Sequence, residues 1–190
     1  MKELLHKIQY GNDQLAFNAL YEHFSYRLFL FAFSLLKSRE PSEEVVNDAF
    51  LNCWNNRHRL HEIGNFTVYI YVAVKNLALN RLKQEERHRA LLWDALATYR
   101  VQVTPSPEQL MMSGELVKRI EQAVSQLPPK CKLIFMLVKE DGLKHHEVAE
   151  ILGLSLNTVE KQVSIALKKI AQELQLSRNG KPAVSPAPAR

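Results

Sequence analysis

Polar side chains between residues 157 and 168 could hydrogen-bond to the edges of DNA bases. In the sequence HEVAEILGLSLNTVEKQVSIALKKI, residues 146–170, apolar residues recur every three or four positions and predict two short helices. The second helix would bury a stripe made of Val159, Val163, Ala166, Leu167 and Ile170. Its outward face would then carry Asn157, Thr158, Glu160, Lys161, Ser164 and Lys168. Side chains of these types suit base edges, and the more distant Lys168 suits a phosphate.

The order and spacing of three particular residues in this segment favour a helix-turn-helix. Such a motif needs a small residue where its helices approach, a glycine that can adopt positive φ in the turn, and a branched apolar residue that fixes the second helix. Ala149, Gly153 and Val159 have these properties in this order. Ser155 or Asn157 could cap the second helix. The alternative from spacing alone is an ordinary helical hairpin with a solvated face.

Two amides and several basic residues form a second candidate surface for nucleic acid. Asn76 and Asn80 are four residues apart on a predicted helix from Phe66 to Trp93, so they share one face. An amide both donates and accepts hydrogen bonds and can therefore read a base edge. Lys75 and Lys83 belong to the basic stripe that would meet phosphates on this helix.

An acidic patch precedes this helix and indicates a different kind of partner. Four carboxylates lie within about two helical turns of one another. Glu43, Glu44 and Asp48 belong to a predicted helix, residues 43–56, and Glu40 lies just before it. The neighbouring residues expected at the surface are Asn47, Leu51 and Trp54, whereas Val45, Val46, Ala49, Phe50 and Cys53 should face inward. Carboxylates beside apolar anchors suit a basic protein surface and would repel DNA.

The composition indicates a globular, all-α protein to hold these surfaces. The chain has 190 residues, 46% of them hydrophobic, and a net charge of +5. Helical periodicity recurs almost everywhere. The first predicted helix should end near Pro41, and Ser42 could cap the next helix. The residues that the first helix should bury are Leu15, Ala19, Leu20, Phe24, Leu28, Phe31, Ala32, Leu35 and Leu36. The two cysteines are too few for a disulfide framework. The N-terminus lacks the apolar core of a signal peptide, and the most apolar stretch, residues 28–36, is too short to span a bilayer. We therefore expect a cytoplasmic protein.

Composition changes divide the chain into two small helical domains joined by a flexible linker. Residues 98–115 contain two prolines and little helical periodicity, which is typical of a linker. The predicted domains are residues 1–97 and 116–176, the second containing the helix-turn-helix. Residues 177–190 have no core-forming pattern and predict a disordered tail. This tail carries three of the five excess positive charges, at Arg178, Lys181 and Arg190, so bulk charge cannot hold the folded part on DNA.

Three segments together resemble the extracytoplasmic-function (ECF) sigma factors of bacterial RNA polymerase. PSEEVVNDAFLNCW, residues 41–54, is similar to their acidic, aromatic helix that docks on the polymerase clamp. FTVYIYVAVKNLALNRLKQEER, residues 66–87, is similar to their promoter-reading helix. Residues 127–170 resemble their upstream-binding domain. The segments follow in the family's order, with a proline-containing linker before the third.

The resemblance implies a role for each surface. Glu44, Asn47, Asp48 and Leu51 would contact the clamp of core RNA polymerase. The minus-ten element would be met by His61, Asn65, Lys75, Asn76, Asn80 and Lys83, with the loop containing His61 and Asn65 capturing a flipped base. The outward face of residues 157–168 would bind the minus-thirty-five element. The protein would contact both the clamp and the flap of core RNA polymerase.

The resemblance also implies how the protein is used and controlled. Sigma factors lend promoter specificity to the polymerase and catalyse nothing themselves, so no catalytic residue, cofactor or metal is expected. The resemblance implies an anti-sigma factor, often a membrane-anchored one. Two positions depart from the usual pattern: Asn80 stands where relatives often have aspartate, and Tyr69 where many have tryptophan. These departures affect the expected minus-ten preference.

Two other classes of function remain as alternatives. A free-standing regulator could dimerise through its N-terminal helices and bind operator DNA without polymerase, because residues 158–163 also resemble response regulators. A metal protein would have to use His58, His61, His145 and His146. The last two are adjacent and diverge by about 100° on a helix, and no carboxylate completes a known ligand pattern.

Overall fold

The computed structural model describes the backbone of residues 1–84 and 114–179 and the side chains of residues 1–83 and 119–174. Within these ranges the chain is helical and contains no strand, which confirms the predicted all-α class. The N-terminal part consists of α1 (Lys2–Gly11), α2 (Gln14–Leu36), α3 (Arg39–Asn55), a 3₁₀ helix (Arg57–Glu62) and α4 (Phe66–Gln84). The C-terminal part consists of α5 (Gly114–Ser125), α6 (Pro129–Lys139), α7 (His145–Leu152) and α8 (Leu156–Asn179).

The buried side of α2 is set by a four-residue repeat that begins at Ala16. Asp13 caps the helix, its Oδ1 accepting from the backbone N–H groups of Leu15 at 2.9 Å and Ala16 at 3.0 Å. From Leu20 onward the residues predicted to face the core are buried. The prediction was wrong for Leu15, which is 80% exposed, and for the exposed Ala19. Each precedes a buried residue, Ala16 or Leu20, by one position and is turned by about 100° from it in this N-terminal half of the helix.

The boundary between α2 and α3 was also predicted wrongly. Lys37, with φ of 59°, ends α2 in a left-handed conformation, and α3 already begins at Arg39. Pro41 lies inside the first turn of α3, where its missing N–H costs nothing because no helical partner exists there. Ser42 is fully buried, and its Oγ donates to the Ser38 carbonyl at 2.6 Å instead of capping a helix.

Parts of the predicted organisation lie beyond the described residues. Residues 85–93, predicted as the end of the long helix, are outside the described ranges, and so are residues 98–113 of the predicted linker. Helix α8 continues to Asn179, past the boundary predicted at residue 176. The rest of the predicted tail, residues 180–190, is also outside. Among the described helices, none is long and apolar enough to cross a bilayer.

The two helical parts pack against each other through a continuous apolar cluster. Buried members include Tyr71 and Val74 of α4 together with Ile134, Val148 and Ile151 of the C-terminal part. A second cluster fills the interior between α5, α6 and α8, and Leu30 of α2 packs against it. The N-terminal part is therefore in apolar contact with both the helix-turn-helix and the helices that support it.

Candidate nucleic-acid interface

The turn between α7 and α8 has the geometry that the sequence predicts for a helix-turn-helix. Ala149 is 7% exposed and Val159 is fully buried. Gly153 ends α7 with φ of 67°, and a Cβ there would meet nothing within 4 Å, so its conformation rather than space requires glycine. Ser155 caps α8 because its Oγ accepts from the Thr158 N–H at 3.2 Å. Of the two caps proposed, the structure therefore selects Ser155.

The outward face of α8 is open. Asn157, Glu160, Lys161, Ser164 and Lys168 are exposed. Thr158 is half-buried, with its Oγ1 2.8 Å from the Ser155 Oγ. The predicted buried stripe is correct at four of its five positions, but Leu167 is 46% exposed. Leu167 follows Ala166 by one residue and is turned by about 100° from the buried direction.

The acidic surface of α3 has apolar side chains beside its carboxylates. All five residues predicted to face inward are buried, and Asp48 and Leu51 are exposed, Leu51 at 57%. Asn47 is exposed, and its Oδ1 accepts from the Tyr21 hydroxyl at 3.0 Å. Glu44 forms an ion pair with Arg81 of α4. This pair ties the acidic surface of α3 to the end of the helix that carries Asn76 and Asn80.

A groove of about 510 Å³ lies along this acidic surface, between α2 and α3. Phe17 and Tyr21 line one wall, and Asn47, Asp48 and Leu51 line the other. Trp54 also lines the groove. The tryptophan is half-buried because the Arg57 guanidinium lies 4.6 Å from its ring centroid and the Phe17 ring lies 4.9 Å away. The groove combines apolar walls with a carboxylate rim.

Four of the six residues predicted for the minus-ten element lie on α4, and the structure separates them into two groups. Asn76, Asn80 and Lys83 are exposed. Lys75 is half-buried, and its Nζ donates to the Ile151 carbonyl at the end of α7, over 2.6 Å. This burial lowers the pKa of Lys75 from its usual value. Lys75 therefore contacts the C-terminal part rather than solvent.

Asn65 and His61, in the segment before α4, are exposed but already hydrogen-bonded. Asn65 caps α4 through its Oδ1, which accepts from the Val68 N–H at 3.3 Å, while its Nδ2 donates to Glu147 Oε1 at 2.7 Å. His61 Nδ1 lies 2.7 Å from Gln9 Nε2 and 3.1 Å from the His58 carbonyl. Both residues thus stand in defined orientations beside α4.

Sequence reasoning missed α1 and its role in holding this segment. Gln9 Nε2 donates to the His58 carbonyl at 3.0 Å, and Asn12 accepts from Arg57 Nε at 2.6 Å. Ile8 is the fully buried residue of α1. A three-to-four spacing of Leu4, Leu5 and Ile8 was the available signal for this helix. The polar contacts themselves had no sequence signal, because they join residues about fifty positions apart.

Histidines, cysteines and carboxylates occur in both helical parts of the described chain. No cluster of three or more His, Cys, Asp or Glu side chains within it could hold a metal ion. Both cysteines are free and buried. Burial raises the pKa of the Cys53 thiol to about 11 and raises that of Cys131 as well, so neither thiol is activated as a nucleophile.

Comparison with known families matches both parts of the chain. Residues 20–88 match the family described as Sigma-70 region 2, and residues 118–170 match Sigma-70, region 4. The first range runs from α2 into α4 and includes the acidic surface. The second includes the whole helix-turn-helix. Together the two ranges cover more than half of the chain.

Curated relatives carry related names. The ECF RNA polymerase sigma-E factor of Escherichia coli K12 is 26% identical over 182 residues, which span 90% of this chain and 93% of the relative. ECF RNA polymerase sigma factor SigW of Bacillus subtilis is 21% identical over 182 residues, 92% of this chain and 97% of SigW. The probable RNA polymerase sigma factor RfaY of Xanthomonas campestris pv. campestris is 28% identical over 146 residues, 75% of this chain but only 36% of RfaY.

Two solved structures share the fold. CnrH, in complex with the cytosolic domain of CnrY, superposes with a TM-score of 0.51 at 20% identity, covering 91% of this chain and 96% of CnrH. The sigma factor RpoE, in complex with the anti-sigma factor NepR from Bartonella quintana, gives 0.54 at 17% identity, covering 84% of this chain and 96% of RpoE. With both sigma-70 regions present in their family order, this chain belongs to the ECF sigma factors of the sigma-70 family.

Proposed function

We propose that this protein binds core RNA polymerase and directs initiation at promoters that it reads through two separate DNA contacts. The observation that carries the proposal is the presence, in one chain, of an open helix-turn-helix face on α8 and an acidic, apolar groove on α3. The first suits DNA and the second suits a protein. The chain contributes specificity and no catalysis, and it acts in the cytoplasm, where it meets the polymerase.

The domain assignment follows from these surfaces. Residues 1–97 form the part that binds polymerase and the minus-ten element, and residues 116–176 form the part that binds the minus-thirty-five element. Residues 98–115 connect them, and residues 177–190 follow the second part, although α8 itself continues to Asn179. The family matches at residues 20–88 and 118–170 support a boundary between the two parts.

The groove beside α3 is the proposed contact with the polymerase clamp. Asn47, Asp48 and Leu51 line it, and Glu44 lies on the same helix, where it pairs with Arg81. Leu51 exposes 57% of its surface, which favours burial against a partner. The carboxylates around it favour a basic partner surface and repel the DNA backbone. Protein and DNA are thereby directed to different faces of the same helical part.

The two DNA contacts divide the work of promoter recognition. Asn157, Thr158, Glu160, Lys161 and Ser164 read the major groove of the minus-thirty-five element, and Lys168 contacts phosphate. Asn76 and Asn80 read the minus-ten element, with Lys75 and Lys83 on its backbone. His61 and Asn65 belong to the loop that receives a flipped base, which must repay about a few kcal/mol of lost stacking. Wrong base pairs at either element should cost about 1–3 kcal/mol each.

Control by an anti-sigma factor is part of the proposal. Support comes from two structural neighbours, since RpoE was solved with the anti-sigma factor NepR and CnrH with the cytosolic domain of CnrY. An anti-sigma factor that covers the α3 groove would compete directly with the polymerase. A membrane-anchored partner would hold the protein away from DNA until released.

Run-off transcription on fragmented genomic DNA tests the proposal. Purified bacterial core polymerase is incubated with and without the protein, and transcript starts are mapped by sequencing. The protein should create a set of discrete starts that share two sequence elements at a fixed spacing. Glu22→Lys, a charge change at an exposed site on α2, serves as a matched control for Asp48→Lys on α3.

The outcome separates the proposal from a free-standing regulator. If core polymerase is active on a control template but the protein creates no new starts, the proposed function is wrong. Tight sequence-specific duplex binding by the protein alone would then favour direct operator binding. If Asp48→Lys leaves the new transcripts unchanged, the groove is not the polymerase contact.

A further inference from the structure

A second groove adjoins the α3 groove, and we call it the tyrosine groove. Its volume is about 430 Å³. Aromatic side chains of α2 and a charged pair of α3 line it, namely Tyr21, Tyr26, Phe29, Arg39 and Glu43. The two grooves meet at the hydrogen bond that the Tyr21 hydroxyl donates to Asn47 over 3.0 Å, because both of these residues line both grooves.

The α2 wall of the tyrosine groove leaves aromatic surface open to solvent. Tyr26 is 52% exposed and Tyr21 is 37% exposed. Proline-rich peptides in the extended polyproline II conformation dock in grooves lined by aromatic side chains. The tyrosine groove therefore has walls that suit a proline-rich peptide.

The α3 side of the tyrosine groove is negatively charged. Helix α3 contains four carboxylates and one arginine. This arginine, Arg39, is already paired, since its Nε donates to Glu43 Oε1 at 2.7 Å. Glu40 is exposed three residues before Glu43 on the same face, and it forms no ion pair with any described residue. A peptide bound here should therefore carry positive charge.

The C-terminal segment of this chain has both properties. Residues 178–190, RNGKPAVSPAPAR, contain three basic residues, three prolines and no acidic residue. Closely spaced prolines favour the polyproline II conformation, so little conformational entropy is lost when such a segment binds. Residues 180–190, the part of this segment that follows α8, lie outside the described residues.

The position of α8 brings this segment to the correct side of α2. Leu174 of α8 and Leu30 of α2 pack against the same apolar cluster. Tyr26 lies one turn before Leu30 on the same face of α2. In the polyproline II conformation residues 180–190 span about 34 Å, which is close to the length of α2 at about 1.5 Å per residue. The segment is therefore long enough to reach the tyrosine groove.

We propose that residues 180–190 bind in the tyrosine groove of the same chain, with prolines against Tyr21 and Tyr26 and basic side chains beside the carboxylates of α3. The tether gives the segment an effective concentration of about a millimolar, so a weak peptide contact is sufficient. The bound segment covers aromatic surface that is otherwise exposed. A partner that extends from the α3 groove past the Tyr21–Asn47 hydrogen bond has to displace it.

Distance measurements on the full chain test this contact. Spin labels are attached at Glu22→Cys on α2 and at Ala189→Cys, while the buried native cysteines stay unlabelled. The labelled chain should give a narrow distance distribution. Tyr26→Ala should reduce the narrow component by roughly half or more, because it removes an aromatic wall of the groove. Tyr10→Ala, at a tyrosine of α1 that is 66% exposed, is the matched control and should leave the distribution unchanged.

Substitutions in the C-terminal segment separate loss of the contact from damage to the helices. Replacing Pro182, Pro186 and Pro188 together with glycine removes the preference for an extended conformation and should broaden the distribution. Lys181→Glu combined with Arg190→Glu should broaden it as well, whereas Lys181→Arg combined with Arg190→Lys keeps the charge and should leave it narrow. Far-ultraviolet circular dichroism should be the same for all of these variants.

Three outcomes would overturn the proposal. The first is a broad distribution in the labelled chain without further substitutions, and the second is a narrow distribution that neither Tyr26→Ala nor the proline substitutions broaden. The third is a measurable distance in a mixture of two singly labelled chains, which would show that the segment binds a second copy. All of these measurements are made without polymerase or DNA, so their result is independent of whether the proposed function is correct.

Discussion

The two proposed DNA surfaces of this protein differ in how open they are. The face of α8 exposes Asn157, Glu160, Lys161, Ser164 and Lys168 to solvent. The face of α4 exposes its two asparagines, but Lys75 is bonded to the end of α7 and Asn65 to Glu147. One surface can meet duplex DNA as it stands, whereas the other meets the protein's own chain first.

This difference has a functional meaning on the proposed mechanism. Duplex DNA at the upstream element needs only a rigid helix in the major groove. The minus-ten element must be melted, and a permanently open melting face would bind any single strand. Covering that face with α7 ties single-strand binding to the separation of the two helical parts. The α3 groove lies elsewhere and stays accessible in the arrangement in which the two parts are packed together, which is called the closed form below.

The largest expected effect comes from a charge placed beneath α8. Val159 is fully buried, so Val159→Asp puts a carboxylate into the apolar interior and should unfold the C-terminal part. Upstream duplex binding by the holoenzyme should be lost, while single-strand binding by the free N-terminal part should rise because α7 no longer covers α4. Far-ultraviolet circular dichroism and binding to the two DNA forms measure both effects.

The matched control for this change is Ile165→Asp, at a position on α8 that is 40% exposed. It should leave the fold and the single-strand affinity near those of the wild type. If Val159→Asp unfolds α8 but leaves single-strand binding unchanged, the C-terminal part does not cover the melting face.

A second prediction concerns the groove that neither DNA surface uses. Asp48→Lys reverses a charge on its rim and should lower the affinity for core polymerase by roughly tenfold. Tyr71→Phe removes the hydroxyl that donates to Asp141 across the contact between the two helical parts, and it should not reduce that affinity. Fluorescence anisotropy with labelled protein measures both constants, with Glu22→Lys as the control. Equal affinities for Asp48→Lys and Glu22→Lys would remove the acidic surface from the polymerase contact.

Two lysines on α8 should affect DNA binding in different ways. Lys161→Ala should weaken binding by about 1–3 kcal/mol on the preferred upstream element and much less on altered ones. Lys168→Ala should weaken binding almost uniformly and lower the salt dependence by about one ion. Holoenzyme binding to a small set of upstream variants separates the two patterns. If Lys161→Ala acts equally on all sequences, Lys161 is a phosphate contact.

The smallest expected effect is a pH dependence of closure. The pKa of Asp141 is about 6 in the closed form, above the ordinary carboxyl range that it regains on opening, so closing takes up a proton. Closure should therefore strengthen severalfold as the pH falls from about 7.5 to about 5, and this gain disappears as the pH rises through the closed-form pKa. Three other ionisable groups face this carboxyl. Tyr71 donates a hydrogen bond to it, Arg27 acts on it through its charge, and Glu140 is its neighbour in the chain.

The distance between spin labels at Glu22→Cys on α2 and Gln172→Cys on α8, both exposed positions, measures this effect when it is followed from about pH 5 to 7.5. Asp141→Asn should remove most of the change of the distance with pH. The change that remains would come from Glu140, whose pKa is raised to about 7 by burial and by the charge of Asp141. A profile identical in wild type and Asp141→Asn would exclude Asp141 as the group responsible.

Much of the fold followed from local sequence patterns. Helical periodicity predicted the all-α class and most of the buried residues of α2, α3 and α8. Turn chemistry predicted the positive φ of Gly153 and gave Ser155 as one of two possible caps, the other being Asn157. These features depend on neighbours a few residues apart, and such neighbours are visible in a sequence. Pro41 misled for the same reason, because a proline is equally compatible with a helix end and with a first turn.

The relation between the two helical parts was not predictable in this way. Asp141 meets Tyr71 across 70 positions, and Lys75 meets Ile151 across 76. No periodicity or spacing rule links residues so distant. Lys75 also has the composition expected of a phosphate contact, and its burial against a backbone carbonyl depends wholly on tertiary packing. The residue types indicated a function, but the structure showed which of them are already engaged.

The most direct test of the central claim is a footprint on a promoter found by run-off transcription, with and without core polymerase. A sigma factor that gains its melting contact only in the holoenzyme should protect both elements with polymerase present and expose unpaired bases at the minus-ten element to permanganate. The protein alone should give at most weak protection of the upstream element and no unpaired bases. Equal protection of both elements by the protein alone would contradict the account.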